Sequence, residues 1–339
     1  MIVDGVTSKR VETPRNLNEL QEVLRSEKGA VVPVGGGTQL EFGNPLQRAD
    51  CAVSLAGLNR ITTYNPDELT VHVEAGVTLG QLQAALHANN QTLPLDPWAG
   101  PSATIGGIAA VNAQGPLRPT GTIRDWIIGM TVAHADGRLS KTGGRVVKNV
   151  TGYDLAKLYT GSLGSLAIIA EVSFKLRPRY ETTATAIAEF DSAEKTAAAL
   201  AHIRKSSLQP IACAWLGPRP HTLAVRFGEH PQAVSSQIAQ LPAGAWKRLD
   251  GDSENAAWEN VRAQYHRLSP VVVRIIGQPS EVPSIVEAFH PKAWIAHGLN
   301  GIVLAAFDDT AAIAAIRQRY PCIVERGPRE VRQRIGTFG

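Results

Sequence analysis

Residues 96–124, DPWAGPSATIGGIAAVNAQGPLRPTGTIR, constrain this chain more than any other stretch. Thr104-Ile105-Gly106-Gly107 lies inside it, followed by Ala109, Asn112, Gly115 and Gly121. An ordinary core segment has no need of so many small residues. Glycine lets a backbone N–H approach a partner with no Cβ in the way. Successive outward amides make a concavity that binds anions. The residues leave two readings open. One is the loop of a diphosphate-bearing cofactor, in which a side chain at Gly106 would fill the diphosphate's place. The other is a tight loop packed on itself.

Length and charge narrow the rest. A chain of 339 residues suggests about two domains, and 44% hydrophobic residues suffice for a real core. A net charge of +4 is too small to point to nucleic acid. No apolar run approaches the ~20 residues of a membrane helix, so no transmembrane segment is expected. The start, MIVDGVTSKR, has no apolar h-region, so no signal peptide is expected. Cys51, Cys213 and Cys322 are far apart and form no CxxC, which disfavours an iron–sulfur cluster or cysteine zinc site and suits a reducing cytoplasm.

In chain order, residues 16–26 carry Leu17, Leu20, Val23 and Leu24 at helical spacing, with Asn16 or Asn18 as cap. A short strand follows at 30–34 and runs into Gly35-Gly36-Gly37-Thr38. This second glycine loop is not GxGxxG, has no Rossmann acidic residue at the expected spacing, and lacks a P-loop ending. Strands are expected at 51–55, 70–74, 127–135 and 167–176, and a Thr78-capped helix at 79–89. Arg177-Pro178 closes the first domain, 1–178. The second, 179–339, is richer in alanine and reads as β-α-β-β-α twice, with a linker at 243–255. That order predicts two ferredoxin-like units, joined in one antiparallel sheet with helices on one face. The fold class is α+β.

Six segments in one order resemble the FAD-binding (PCMH-type) fold of vanillyl-alcohol-oxidase-type flavoproteins: PVGGGT at 33–38, EAGVTLGQL at 74–82, ATIGG at 103–107, TIRDWIIGM at 122–130, GGRVVKNVTGYDLAKLYTGSLGSLAIIAEV at 143–172 and LRP at 176–178. With GPLR at 115–118 and the short second half, the chain is similar to the FAD-binding E subunits of bacterial glycolate oxidase. The resemblance implies non-covalent FAD, since neither glycine loop carries a His or Cys for attachment. It implies a cofactor site of Pro33, Val34, Gly35, Gly36, Gly37, Thr38, Gln39, Pro97, Thr104, Ile105, Gly106, Gly107, Asn112, Gly121, Arg124, Asp125 and Ile169. Lys148, Asn149, Tyr153 and Asp154 are expected to lie near the dinucleotide or brace its loops. For Tyr153 a packed core position is an equal alternative, as is an internal ion pair for Arg124 and Asp125.

Related 2-hydroxy-acid dehydrogenases carry a metal pattern resembling H-x-G-D-G-N-x-H, then E-H-G. Here His297 is followed by Asn300 and Leu304 in place of the aspartate and second histidine, and Glu325 by Arg326 in place of a histidine. One histidine and one glutamate do not make that site. No metal is expected, and His297 reads as a hairpin residue. His72, His134 and His266 read as structural. No catalytic base is assigned. The resemblance implies a complex that oxidises glycolate, a small 2-hydroxy acid, to glyoxylate. Its partners are a catalytic flavoprotein subunit and an iron–sulfur subunit. The expected location is cytoplasmic, peripheral to the inner face of the membrane through those partners. Two alternatives remain: a self-sufficient flavin dehydrogenase or oxidase of another 2-hydroxy acid, and a non-catalytic scaffold subunit.

Overall fold

The computed structural model describes residues 1–144 and 153–338. Lys148 and Asn149 lie outside the described residues. The chain forms two compact units. One comprises 1–40, 45–115 and 121–179; the other comprises 41–44, 116–120 and 180–339.

The first unit is built mainly on two of its sheets. Three short parallel strands, Arg10–Glu12, Cys51–Ser54 and Val31–Val34, lie side by side in that order. The helix Leu17–Ser26 connects two of them. Asn16 Oδ1 accepts the Glu19 N–H at 2.9 Å, and Glu19 Oε2 accepts the Arg15 N–H, which closes the N-terminus. Its buried face, Leu20 and Leu24, packs with Cys51, Val53, Ile168 and Ala170. The second sheet has five antiparallel strands in the order Leu139–Gly143, Ile127–Ala133, Ile168–Lys175, Thr70–Glu74, Ile61–Asn65. Side chains alternate across it. Val71, Val73, Val172 and Phe174 share a core with Leu82 and Leu86 of the helix Leu79–His87 and with Ile105 and Ile108 of the helix Ile105–Val111. Thr78 caps the first of these helices in a capping box with Gln81.

The second unit is built on one eight-stranded antiparallel sheet. Its order is Lys247–Leu249, Thr182–Phe190, His221–Glu229, Ala212–Gly217, Ala293–His297, Ile302–Phe307, Val271–Ile276, Cys322–Arg326. Read by position within each half, this is 4-1-3-2 followed by 2-3-1-4. The two ferredoxin-like halves therefore join through their second strands, with Trp215 opposite Ala296. One face carries the main core, including Trp215, Phe227, Val273, Trp294 and Leu200.

Two expectations are corrected here. The expected linker at 243–255 contains the edge strand Lys247–Leu249 and the start of a helix, Gly251–Arg267, whose capping box pairs Asp250 with Ser253. That helix does not share the face of the main core. Its Glu254, only 2% exposed, accepts hydrogen bonds from Thr183 and Thr185 at 2.6 and 2.8 Å, while Ala184 between them points into the core. Helices therefore cover both faces of the sheet.

Candidate functional site

The first glycine loop leaves the parallel strand Val31–Val34 and is open to solvent. The N–H of Gly36 donates to Thr104 Oγ1 at 3.1 Å, and this bond brings the two glycine loops together. A Cβ at Gly35 would run into the same hydroxyl, and one at Gly36 would meet the Ser102 carbonyl at 2.9 Å. These two glycines permit close approach of backbone to backbone. Gly37 differs: its φ of +72° is a left-handed conformation, and its Cβ would meet nothing nearer than 3.9 Å. No acceptor among the described residues takes the amides of Gly37, Thr38 and Gln39.

Thr104 ends an extended segment and starts the helix Ile105–Val111. Its hydroxyl is engaged by Gly36 and does not cap the helix. Gly106 has a different job from the one expected. Its N–H is spent on the Ala75 carbonyl at 2.8 Å, and its missing Cβ would sit 2.6 Å from Ala75 Cβ. The N–H of Ile105 goes to the Val77 carbonyl at 2.9 Å. These residues seat the helix on the sheet. Gly107 faces the loop, where its Cβ would touch only Thr104 Oγ1, at 3.1 Å. Pro97 is buried, and its carbonyl accepts the Gly100 N–H.

The helix ends at Asn112, which is left-handed at φ 49°. A turn that the sequence reading gave no cofactor role packs against this end. Gly161 N–H bonds Ala109 O at 2.9 Å and Leu163 N–H bonds Ala110 O at 2.8 Å, while Gly164 lies against Pro33, with its missing Cβ 2.8 Å from Cγ. Segments 33–39, 104–112 and 161–165 thus form a closed triangle. Within it the side-chain oxygens of Asn112 (Oδ1) and Ser162 (Oγ), and Gln114 Oε1 beside it, are sealed from solvent with no hydrogen-bond partner among the described residues. The glycine spacing of 161–164 was the available signal for this turn.

Asp125 is not paired with Arg124 among the described residues. Its carboxylate accepts the Thr122 N–H and hydroxyl at 2.8 and 3.0 Å, the capping box of the helix Ile123–Trp126. Arg124 is exposed. Gly121 has φ +107° and packs on Asp125 and Trp126. The side chain of Ile169 belongs to the core, beside Val132 in the neighbouring strand. Tyr153 is 93% exposed, which rules out the packed-core alternative. Asp154 pairs with Lys157 at 3.2 Å.

Each of the histidines read as structural has a local partner. His72 Nδ1 is 2.7 Å from Ser173 Oγ, and the imidazole holds Glu171 below the usual carboxylate range. His134 bonds Ser140 across its hairpin, and His266 stands edge-on to Tyr265. His297 ends its strand, and its carbonyl accepts the Asn300 and Gly301 amides of the hairpin. Burial, with Arg118 and Arg274 adding to it, pulls its imidazole down to about 3. Glu325 binds Arg274 and Tyr265, and Arg326 donates to the Tyr265 and Leu268 carbonyls. Leu304 is a sheet residue opposite Arg274 and Ile295. Among the described residues no three His, Cys, Asp or Glu are grouped to hold a metal. Arg274 and Tyr265 were missed because their partner is far away in sequence.

Residues 8–143 match the family described as FAD binding domain. The chain is 31% identical over 265 residues to glycolate oxidase subunit GlcE of Escherichia coli, covering 76% of this chain and 71% of that protein. It is 32% identical over 211 residues to glycolate oxidase subunit GlcD of Bacillus subtilis, covering 61% of this chain and 45% of that one. A mitochondrial D-lactate dehydrogenase (cytochrome) of Arabidopsis thaliana is 31% identical over 188 residues, 54% of this chain and 33% of the relative. The fold is shared with alkyldihydroxyacetonephosphate synthase, at a TM-score of 0.71 and 16% identity over 91% of this chain and 72% of that one. With its paired glycine loops set on a PCMH-type scaffold, the chain belongs to the FAD-binding flavoprotein family of the glycolate oxidase GlcE subunits.

Proposed function

We propose that this chain is the FAD-binding subunit of a glycolate oxidase-type complex, oxidising glycolate to glyoxylate and passing electrons to an iron–sulfur partner. The observation that carries the reading is the Gly36–Thr104 hydrogen bond, which fixes two glycine loops beside amides that no acceptor among the described residues takes. The donor set fits a dinucleotide. The amides of Gly37, Thr38 and Gln39 face solvent and suit a diphosphate, and the exposed Arg124 adds a positive charge in the same unit. Asn112, Gln114 and Ser162 offer sealed polar atoms that a polar ligand edge would satisfy. Val34, Gly35, Gly36 and Gly107 set the close approach. Pro33 and Pro97 shape the loop bases, and Thr104, Ile105 and Gly106 hold the helix. Gly121 and Asp125 fix the turn before Arg124. Ile169 contributes through its backbone. When bound, FAD supplies acceptance of a hydride equivalent and release of single electrons.

The relatives named as glycolate oxidase subunits support a multi-subunit assembly. No helix among the described residues is long and apolar enough to cross a membrane, so a peripheral position through partners on the cytoplasmic side fits the reading. The test is the as-purified visible spectrum, FAD uptake by the deflavinated chain, and anaerobic flavin bleaching by glycolate with and without the partner subunits. A chain that neither carries nor takes up FAD overturns the proposal. Bleaching by glycolate without partners favours the self-sufficient dehydrogenase instead.

A further inference from the structure

The second unit holds a cationic cluster that the glycine loops do not use. Arg274 Nε donates to Glu325 Oε2 at 2.7 Å, and the Tyr265 hydroxyl donates to the other carboxylate oxygen at 3.1 Å. The Arg274 guanidinium lies over the ring of Phe42, 5.5 Å from its centroid. Burial opposes the charge on Arg274, and Glu325 outweighs it, so the group stays a cation. Arg326 is spent on two backbone carbonyls and on the Tyr265 ring. Arg118 and Arg274 both act on His297, which they and burial keep neutral. Arg274 is thus the arginine that meets the Glu325 carboxylate, which it shares with the Tyr265 hydroxyl.

Arg274 is only half used. Its outer nitrogens take no acceptor among the described residues, and they are not sealed from solvent; the side chain is 19% exposed. A guanidinium held in place through Nε and by a ring presents a planar fork, which matches the two oxygens of a carboxylate. With no metal-holding group among the described residues, this guanidinium is a fixed cation in the cluster. Lysine would keep the charge and lose the fork.

We propose that Arg274 anchors a metal-free site for a small carboxylate anion of the 2-hydroxy or 2-oxo acid class, with Glu325 and Phe42 holding the guanidinium in position. This deepens the proposed function and rests on the reading that the acid turned over by the complex meets this chain. Isothermal titration of the FAD-loaded chain tests it, with glycolate, glyoxylate, ethylene glycol and inorganic phosphate as separate titrants. Glycolate or glyoxylate should bind saturably. Ethylene glycol, which lacks the carboxylate, should give no saturable heat, and phosphate should bind at least about tenfold more weakly. Arg274→Lys should weaken the acid about tenfold, with FAD content unchanged. Should Arg274→Lys fail to fold, the four wild-type titrations decide alone. No saturable binding of either acid, equal binding of ethylene glycol or phosphate, or unchanged affinity in a folded Arg274→Lys chain overturns the site. A chain without FAD counts against the proposed function instead, and titrating that same chain with glycolate still decides the site.

Discussion

Thr104 does two jobs that a sequence motif cannot separate. Its backbone starts the helix, and its hydroxyl accepts the Gly36 amide. Thr104→Val keeps the shape and removes the acceptor, a loss of about 1 kcal/mol. FAD affinity should fall about fivefold, read by quenching of flavin fluorescence on titration of the deflavinated chain; an unchanged Kd would show that the bond does not organise the site. Gly106→Val should act differently, because its side chain would strike Ala75. The flavin-free chain itself should lose about 2 kcal/mol in urea unfolding, so any fall in FAD retention would be secondary to a displaced helix. His297 sets a pH dependence. Its native value is depressed to about 3, while the unfolded chain binds a proton near 6.5. Below 6.5 the unfolded state gains the proton and the native state does not, so stability falls with falling pH until the native value is reached. Between pH 7 and pH 5 this contributes about 2 kcal/mol of loss. His297→Gln should remove that part of the slope, and parallel unfolding curves for the two chains at both pH values check it.

At the scale of elements, legibility follows the range of the cause. The helix Ala193–Lys205 could be read because Ser192 caps it locally, and the hairpin of Ala293–His297 and Ile302–Phe307 because apolar residues run through both strands up to a turn. The first turn of the helix Gly251–Arg267 fell inside the expected linker, because it is polar and the buried partners of Glu254, Thr183, Thr185 and Arg226, are about 25 to 75 residues away in sequence. The glycine loops were visible as a site, but which glycines meet ligand and which meet protein depends on Ala75, Ser102 and Thr104, and composition does not reveal that. The same helix gives a prediction. Arg226 Nη2 donates to Glu254 Oε2 at 3.2 Å, with Glu254 sealed from water. Glu254→Ala leaves Arg226 partly buried without its counter-charge and should cost about 3 kcal/mol. Replacing both, as Arg226→Met with Glu254→Leu, should recover most of that loss. A double variant as unstable as the single one would mean that the threonine hydrogen bonds, rather than the charge pair, fix the helix.

At the scale of the whole molecule, cofactor and stability are linked. If the proposed loops hold FAD in the native state alone, FAD at 100 times its Kd should stabilise the chain by about 2.7 kcal/mol; a melting temperature indifferent to added FAD would contradict this. The sheet of the second unit ends on one side in the strand Lys247–Leu249, whose shortness and exposed Lys247 discourage pairing with another chain. The units are not consecutive blocks of sequence. Residues 41–44 and 116–120 belong to the second, where the Gly43 carbonyl accepts from Thr337 and from the buried Arg332, and the Pro116 carbonyl accepts from Cys213. During synthesis these two segments leave the ribosome long before residue 180. Segment 116–120 meets Cys213 midway through synthesis, but the Gly43 carbonyl waits for the last residues, so a nascent chain truncated near residue 320 would already contain most of that unit and still lack Arg332 and Thr337, which bind Gly43.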